Sequence, residues 1–548
     1  MVREAIRSEL ARVAALLGAP ADVAIELETP REKSHGDVAT NLALALAKAL
    51  KQPPRKIAER LVAGLKLPPT LVASVEIAGP GFINFRFAQD QLAGILAAIV
   101  TAGQYYGRAL ATYPQRVNVE FVSANPTGPL HVAHGRGAAL GDCVATLLEW
   151  QGHEVQREFY VNDAGVQIHR LGESLWARVQ QALGREGAIP ENGYHGAYLT
   201  DLAQALVKER GDGFADLDAE AGVRACTEYA TTALLADQRS DLDGFRVKFD
   251  VFFAETRLYE ERRIEATLKE LHERGATFED EGALWLRTSH WGDDKDRVLR
   301  KSDGSYTYFL PDIAYHEDKA QRGFERAIDV WGADHHGYVP RMRAAMQALG
   351  HGRHFFEALI VQLVTVLRHG EEVKMSKRAG EFITLRELVD EVGVDAARYF
   401  FLMRRCDTPF AFDVDLALKR TDENPVFYVQ MAHARMSGIF RVGGIDPATV
   451  PALGVDVAAL TDESEPELIK LLARFPDVVR SAAEALEPQR VTTYLEELAR
   501  AAHLWYHRCR VLGEPPATER ARLALARAAR IVLANALRLL GLSAPDRM

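Results

Sequence analysis

Two groups of basic side chains have the composition and spacing of a site that binds phosphate groups. His131 and His134 lie three residues apart, followed by Gly135 and Gly137, where a loop leads into a helix. A helix start presents unpaired N–H groups and the positive end of the helix dipole, which suits an anion. The second group is Lys-Met-Ser-Lys-Arg at 374–378, in a glycine-bounded loop. Its lysines are mobile charges that can follow a polyphosphate as charge develops during a reaction.

The segments around the histidines predict a βαβ unit. Residues 117–121 and 154–161 are typical of strands, 125–129 of a loop and 134–150 of a helix. This order predicts a parallel sheet, and such sheets bind ligands in the crevice beyond the carboxyl ends of their strands. Residues 327–331 predict a further buried strand.

The length of 548 residues predicts three or four domains. We divide the chain into a small α+β unit at 1–110, a sheet domain at 111–420 and an all-α module at 421–548. A mostly helical stretch at about 167–260 reads as an insertion into the sheet domain. The predicted fold class is therefore an α/β Rossmann-like parallel-sheet catalytic domain with a helical insertion, a small N-terminal α+β domain and an all-α C-terminal domain.

Hydrophobic periodicity predicts the remaining elements. In the first two parts we predict strands at 72–77, 82–87, 283–287, 298–301 and 305–309, and helices at 2–17, 38–50, 54–65, 89–100 and 339–349. A hairpin is predicted at 360–374, around His369-Gly370. Beyond it we predict helices at 385–392, 395–404, 421–440, 465–486, 490–511 and 518–540.

Composition excludes several classes of protein. Hydrophobic residues make up 48% of the chain and charged residues 26%, close to globular averages, which argues against a disordered or fibrous chain. No apolar run reaches the length of a membrane span, and the N-terminus resembles an amphipathic helix instead of a secretory signal. The four cysteines, Cys143, Cys226, Cys406 and Cys509, form no CxxC pair. We therefore expect a cytoplasmic protein without disulfides or a structural zinc.

The charge is unevenly distributed. The chain carries a formal net charge of −10, yet residues 500–548 contain nine arginines and three acidic residues. Nucleic-acid backbones respond to local basic patches and not to the total charge. The C-terminal segment is therefore a candidate nucleic-acid surface, with a solvated helix face as the alternative.

The two basic groups together resemble the signature pair of class I aminoacyl-tRNA synthetases. Residues 120–131, Glu-Phe-Val-Ser-Ala-Asn-Pro-Thr-Gly-Pro-Leu-His, resemble the arginyl-tRNA synthetase version of the first signature. Residues 393–400 resemble the DALR signature, and 35–41 and 543–548 are also similar to that family. The resemblance, to the bacterial type, spans essentially the whole chain. One departure is Ala133, which adds a methyl group where the family usually has glycine, at the position where adenine packs.

The resemblance implies a two-step reaction. The carboxylate of arginine attacks the α-phosphorus of ATP, which carries Mg²⁺, and the arginyl group then passes to the terminal adenosine of tRNA(Arg). Catalysis is expected to come from positioning and charge stabilisation. The family also suggests that bound tRNA makes activation efficient, that the C-terminal domain reads the anticodon and that the first domain contacts the tRNA elbow. We expect a monomer with no DNA or membrane partner.

The resemblance also assigns residues, and no metal ligands are among them. Catalysis and ATP binding fall to His131, His134, Lys374 and Lys377, and further ATP contacts to Gly137, Gly332, Asp334, Met375 and Ser376. Carboxylates are the natural acceptors for a guanidinium group. Arginine binding is assigned to Glu120, Ser123, Asn125, Tyr308, Asp312 and His335. tRNA binding is assigned to Trp505, Tyr506, Arg508 and Arg510, although Trp505 has core packing as an alternative.

Several alternatives remain open. Taken alone, the HxxH pattern is also typical of surface or metal-binding histidines. Taken alone, the segment at 374–378 is also typical of an ordinary basic loop. Asp334 with His335 and His336 is a possible metal cluster, though no further spaced ligand accompanies it. Another class I synthetase, a non-catalytic tRNA-binding paralogue and a small-molecule nucleotidylyltransferase are the rival functions. The scattered cysteines and the modest insertion argue against synthetases of the cysteinyl and valyl types. The intact signatures argue against a binding-only protein. The helical C-terminal third argues against a nucleotidylyltransferase.

Overall fold

A computed structural model describes residues 2–20, 23–28, 30, 32, 35–163, 165–373, 383–451 and 453–548. None of the helices within these ranges has the length and apolar character needed to cross a membrane. The four cysteines all carry free thiols. The predicted phosphate-binding residues Lys374, Met375, Ser376 and Lys377 lie outside the described residues.

The N-terminal part contains seven elements. They are α1 (Val2–Leu16), β1 (Val38–Thr40), α2 (Leu42–Leu50), α3 (Pro54–Gly64), β2 (Val72–Ala78), β3 (Phe82–Phe87) and α4 (Gln89–Ala102). Helices α1–α3 and an antiparallel sheet of order β1-β3-β2 enclose one core. The predicted helix at 38–50 is wrong in its first residues, because Val38 and Thr40 pair with β3 and helix α2 begins only at Leu42. β-branched side chains favour that pairing over a helical turn.

The central part begins with a parallel sheet into which helices are inserted. Its elements are β4 (Arg116–Glu120), α5 (Val132–Trp150), β5 (Glu154–Val161), α6 (Val166–Ala182), α7 (Ala197–Arg210), α8 (Ala219–Gly244), β6 (Val251–Ala254), α9 (Thr256–Glu260), α10 (Arg263–Glu273), β7 (Thr277–Asp280), β8 (Ala283–Leu286), β9 (Arg297–Arg300), α11 (Phe309–Gln321), β10 (Arg326–Gly332), α12 (Val339–Ala348) and β11 (Phe356–Val361). The inserted helices α6–α8 have their own apolar core. Strands β7–β9 form a separate antiparallel sheet.

The rest of the chain is mainly helical. Its elements are β12 (Val364–Arg368), β13 (Glu371–Glu372), α13 (Leu385–Val392), α14 (Val394–Leu402), β14 (Phe410–Asp413), α15 (Val414–Leu418), α16 (Pro425–Gly443), α17 (Ser464–Ala473), α18 (Phe475–Ala485), α19 (Gln489–Arg508) and α20 (Pro516–Leu539). The single helix predicted at 465–486 is two helices, and Pro476 lies in the first turn of the second. Proline is tolerated there and not in a helix interior.

The five-stranded central sheet is parallel throughout, in the order β11-β10-β4-β5-β6. Numbered by appearance in the chain, this is the doubly wound order 5-4-1-2-3. The winding direction reverses between β4 and β10, which are neighbours. The crevice beyond the carboxyl ends of these two strands is where open α/β sheets bind ligands.

Two sequence predictions in the central part need correction. The mostly helical insertion predicted at about 167–260 ends earlier than expected, because Val251–Ala254 returns to the sheet as its edge strand, paired with β5. The strand predicted at 305–309 is wrong as well. Tyr306 makes only an isolated bridge to Arg300, and α11 begins at Phe309. Pro311 and Asp312 in its first turn favour that helix start.

The C-terminal helices share one continuous core with the α5 face of the central sheet. Two side chains of α14, Asp395 and Arg398, tie the elements together. The fully buried guanidinium of Arg398 donates to the carbonyl oxygens of Leu540 (3.0 Å) and Phe245 (3.2 Å) and to Asp142 of α5 (2.5 Å). Asp395 accepts from Arg246 (2.6 Å), from the Ser543 N–H (3.0 Å) and from Gln430 (2.8 Å). The DALR-like segment is therefore a structural joint between the sheet, the insertion and the C-terminus.

Replacing Arg398 with methionine is expected to destabilise the protein strongly. The change leaves the Asp142 carboxylate and two backbone carbonyls without their buried donor, which typically costs about 3–5 kcal/mol. The measurement is the midpoint of urea unfolding by circular dichroism. Arg404→Met, at an exposed position two residues beyond α14, is the matched control and is expected to change stability by less than about 0.5 kcal/mol. Equal midpoints for the two variants would contradict the role of the joint.

Candidate active site

The histidine loop lies at the N-terminus of α5, at the carboxyl edge of the sheet. His131 is the N-cap residue, and its backbone N–H donates to Nδ1 of His134 at 3.2 Å. The two imidazole rings stack with centroids 3.7 Å apart, and both residues are partly exposed. The rings and the first N–H groups of α5 therefore form a surface suited to phosphoryl oxygens.

The described residues that follow the second basic group contact this loop directly. The Leu385 N–H donates to the carbonyl oxygen of Leu130 at 2.8 Å, and the Val132 N–H donates to that of Ile383 at 3.3 Å. Gly135 has no room for a side chain, because a Cβ there would lie 2.6 Å from Cδ1 of Leu385. Residues 383–385 are thus hydrogen-bonded to the histidine loop.

The predicted ATP-binding glycines and Asp334 lie around β10. Gly137 is buried, and a Cβ at this position would be in ordinary contact with Val330 at 3.9 Å. Gly332 ends β10, and Asp334 follows it with an exposed carboxylate 3.6 Å from Nε2 of His335. His335 is also exposed. Among the residues searched for metal-ligand geometry, which are those the structure describes, Asp334 and His335 form no such group.

Three carboxylates converge on the neighbouring pocket: Glu120 at the end of β4, Asp312 in the first turn of α11 and Glu255 directly after β6. Their charges act on one another, since Glu255 and Glu120 both raise the pKa of Asp312. Sequence reasoning missed Glu255 because it missed β6. The sequence feature that could have revealed Glu255 is the short apolar run at 251–254 followed by a carboxylate. The same pattern occurs where β4 ends at Glu120.

Asp312 is the most perturbed of these carboxyl groups. Burial, with the charges of Glu255 and Glu120, raises its pKa to about 6, although the hydroxyl of Tyr338 donates to it at 2.6 Å. Burial also raises the pKa of Glu255, which is hydrogen-bonded to Tyr160 and Tyr259. Buried carboxylates without a cationic partner destabilise each other, so this pocket is built for a ligand that carries positive charge.

The turn after β4 carries the remaining predicted arginine contacts. Val122 and Ser123 have φ angles of +67° and +40°, a strained backbone for residues other than glycine. This turn lets the Ser123 hydroxyl donate to Oε1 of Glu120 at 2.9 Å and accept from the Tyr160 N–H at 3.1 Å. The Asn125 amide donates to Gln167 at 2.8 Å.

The inserted helix α8 holds this turn from its other side. Gln238, almost completely buried, donates to the carbonyl oxygens of Asn125 (3.1 Å) and Gly128 (2.9 Å). Tyr308, placed just before α11, is 85% exposed, so its ring is free to cover a ligand in the pocket. The structure thus brings Glu120, Ser123 and Asp312 close to one another, whereas His335 is exposed after the end of β10.

In the part of the chain that the structure describes, one buried group has the geometry of metal ligands: Glu120, His316 and Asp329. The ammonium group of Lys319 lies 2.6 Å from Glu120 and 2.9 Å from Asp329. It therefore takes the position that a metal ion would need, and the group is an ion-pair cluster in this structure.

The four predicted tRNA contacts have different environments. Trp505 is fully buried, so the prediction of a base contact is corrected to core packing, because its ring has no exposed face. Arg508 is paired with Glu463 at 3.0 Å. Tyr506 is partly exposed and lines, with Arg510, a cavity of about 580 Å³ that also includes the C-terminal Met548.

Three family models match successive parts of the chain. Residues 95–404 match the family described as "tRNA synthetases class I (R), catalytic domain". Residues 1–87 match the "Arginyl tRNA synthetase N terminal domain", and 429–548 the "DALR anticodon binding domain".

Individual relatives agree with these matches. An arginine–tRNA ligase of Syntrophotalea carbinolica is 50% identical over 96% of this chain and 95% of its own length. One from Geobacillus thermodenitrificans is 48% identical over 100% of this chain and 98% of its own. The fold is shared with the arginyl-tRNA synthetase structure of Thermus thermophilus, with a TM-score of 0.81 at 23% identity over the full length of both chains. The chain belongs to the arginyl-tRNA synthetase family of class I.

Proposed function

We propose that this chain is an arginine–tRNA ligase, which activates L-arginine with ATP and transfers it to tRNA(Arg). The observation that carries the proposal is the proximity of Glu120, Glu255 and Asp312 at the carboxyl edge of the sheet, where α5 also begins. The guanidinium group of arginine fits the carboxylates of Asp312 and Glu255, which lack a cationic partner among the described residues, and the helix N-terminus fits a triphosphate. The relatives named above, arginine–tRNA ligases of similar length, support the same reaction.

The first step requires arginine and ATP to meet in line. The arginine carboxylate attacks the α-phosphorus and pyrophosphate leaves. His131 and His134 donate to phosphoryl oxygens as negative charge moves toward the leaving group. Lys374 and Lys377, with Met375 and Ser376, are proposed to contact the phosphates from the other side, and Mg²⁺ bound to ATP lowers its charge. Gly332 and Asp334 are proposed to contact the ribose, and Gly137 the nucleotide beside α5.

The amino-acid pocket distinguishes the two ends of arginine. Asp312 and Glu255 accept hydrogen bonds from the guanidinium group, whose planar donors match two carboxylates. Glu120, oriented by Ser123, and Asn125 bind the α-ammonium end. Tyr308 covers the side chain, and His335 lies at the rim. A neutral ureido group in place of the guanidinium leaves Asp312 and Glu255 without a countercharge, so the pocket discriminates strongly against citrulline.

We propose that the tRNA contacts the first domain (1–110) and the C-terminal domain (421–548), and that the sheet domain (111–420) carries out the chemistry. The cavity that contains Tyr506 and Arg510 is open, partly apolar and flanked by Arg441 and Arg547. An unpaired anticodon base stacks well on an aromatic ring beside arginine. Arg508 is proposed to contact phosphate at the rim. The proposed working form is a cytoplasmic monomer.

Arginine-dependent ATP–pyrophosphate exchange in the presence of tRNA tests the reaction. Exchange is expected with arginine and not with lysine or citrulline. Asp312→Asn is expected to raise the KM for arginine by about 100-fold or more, because it removes a buried charged acceptor, while changing the KM for ATP by less than about threefold. Asp280→Asn, an exposed change on β7, is the control. Equal effects of Asp312→Asn on both substrates would refute its assigned role.

Arginine binding is expected to weaken at acidic pH. The raised pKa of Asp312, about 6, means that protons compete with the arginine cation below that pH. The dissociation constant for arginine should rise by up to about tenfold for each pH unit below 6 and stay nearly constant above 7. Calorimetric titration between pH 5 and 8 measures this. Asp312→Asn should flatten the profile, and a wild-type profile without any inflection would contradict the pKa assignment.

The C-terminal cavity makes a separate prediction. Tyr506→Ala is expected to raise the dissociation constant for tRNA(Arg) by about tenfold, since a stacked base contributes about 1–3 kcal/mol. Leu504→Ala, two residues away on α19 and also exposed, is the matched control. Filter binding at fixed salt measures both variants. Unchanged binding in Tyr506→Ala, or an equal loss in the control, would remove this cavity from the proposed tRNA surface.

A further inference from the structure

A fully buried lysine lies directly beneath the proposed amino-acid pocket. Lys319 extends from α11 with none of its side chain exposed. Its ammonium group donates to Oε2 of Glu120 on β4 at 2.6 Å and to Oδ1 of Asp329 on β10 at 2.9 Å. It therefore bridges the two strands between which the winding direction reverses.

The same Asp329 connects to the opposite end of the pocket through a histidine. Nε2 of His316 lies 2.8 Å from Oδ2 of Asp329, and Nδ1 lies 2.8 Å from the backbone carbonyl oxygen of Asp312. A carbonyl oxygen only accepts, so Nδ1 carries a proton and donates. Asp329 thus anchors one side chain that holds Glu120 and another that holds the first turn of α11.

We propose that Lys319 and His316, anchored by Asp329, are positioning residues for the two ends of the amino-acid substrate. Lys319 holds the Glu120 carboxylate aimed at the α-ammonium group, and His316 fixes the turn that presents Asp312 to the guanidinium group. The inference rests on the proposed function, because it assumes that arginine is the amino acid bound. It deepens that proposal, because Glu120 contacts the α-ammonium group and the ion pair with Lys319 positions Glu120 for this contact.

The geometry at Glu120 supports its role as the acceptor for the α-ammonium group. Both carboxylate oxygens are already oriented, Oε2 by Lys319 and Oε1 by the Ser123 hydroxyl. Each oxygen has a second lone-pair direction, so an oriented carboxylate still accepts from a ligand. Only 7% of Glu120 is exposed, which limits approach to the pocket side.

Electrostatics explain why a lysine is needed. Burial lowers the pKa of Lys319, but the carboxylates of Asp329 and Glu120 outweigh burial, and the net pKa is raised, so the group stays an ammonium ion. Burial raises the pKa of Glu120, and the Lys319 charge opposes that rise. Without Lys319, two buried carboxylates face each other, and Glu120 takes up a proton more readily. A protonated Glu120 provides no countercharge for an α-ammonium group.

A purely structural role is the main alternative. Buried ion clusters add little stability compared with apolar side chains of similar size, so stability alone does not account for this one. The two roles differ in what they change. A structural role weakens every ligand of the pocket together, whereas the proposed role of Lys319 affects only ligands that carry an α-ammonium group.

The test compares two ligands by calorimetric titration of the full chain: L-arginine and 5-guanidinopentanoate, which lacks the α-amino group. In the wild type their affinity ratio measures the α-ammonium contact. Lys319→Met is expected to reduce this ratio by about tenfold or more, the loss expected for a charge-assisted hydrogen bond. His316→Gln is expected to leave this ratio unchanged and to reduce the affinity ratio of L-arginine to L-citrulline, which a purely structural role would leave unchanged. Lys269→Met, an exposed lysine on α10, is the matched control and should leave the ratio unchanged.

The double variant Glu120→Gln/Lys319→Met removes both charges of the ion pair and covers the case in which Lys319→Met alone does not fold. If Lys319 acts through Glu120, this double variant and Glu120→Gln alone have the same affinity ratio. A further fall in the double variant, or an unchanged ratio in a folded Lys319→Met, overturns the inference and leaves the proposed function standing. If the wild type binds no arginine, both proposals fail.

Discussion

The reversal of winding between β4 and β10 is the constraint on which the site depends. Because these neighbouring strands are parallel, their carboxyl ends meet at one edge, with the N-terminus of α5 on one side and α11 on the other. Main-chain topology alone brings a helix start suited to phosphate within reach of a carboxylate-rich pocket. The ammonium group of Lys319 then ties the two strands at this edge, since it bonds to one carboxylate on each. A fold without this reversal would leave the two halves of the site on different surfaces.

Charge is arranged in two layers above the sheet. In the lower layer every carboxylate has a cationic partner: Asp329 has Lys319, and Glu158 has Arg322 at 2.6 Å. In the upper layer the hydrogen-bond partners of Asp312 and Glu255 among the described residues are hydroxyl groups, and the pKa of each carboxyl group is raised by burial. A ligand cation that enters this layer relieves a destabilisation already present in the protein. The lower layer keeps the strands aligned, and the upper layer keeps the pocket selective for positive charge.

Sequence reasoning was most successful where local chemistry determined local structure. The histidine loop, the hairpin β2–β3 and the helix Leu385–Val392 are predictable from turn residues, caps and periodicity. The strands at 38–40 and 251–254 were missed because they are only three or four residues long. Each is determined by pairing with a strand elsewhere in the chain, and its own sequence did not outweigh the helical periodicity around it. Glu255 was missed with its strand. Trp505 was predicted to contact tRNA with core packing as the alternative, and the alternative is the one observed, because the packing of α19 turns its ring inward. The Lys319 cluster is beyond local prediction, because its members are up to 209 residues apart in the chain (Glu120 to Asp329).

Helix α5 links the chemistry to the C-terminal helices. Its first residues carry the histidines, and three turns further along Asp142 accepts from Arg398, whose guanidinium also holds the carbonyl oxygen of Leu540 just after α20. Gly541 permits this contact, since a Cβ there would lie 2.2 Å from the guanidinium. Because the guanidinium is fully buried and bonded to all of these groups, α20 cannot shift against α5 without exposing unpaired polar atoms. The orientation of the proposed tRNA-reading cavity is therefore fixed relative to the proposed phosphate site by one side chain and the helix that it holds.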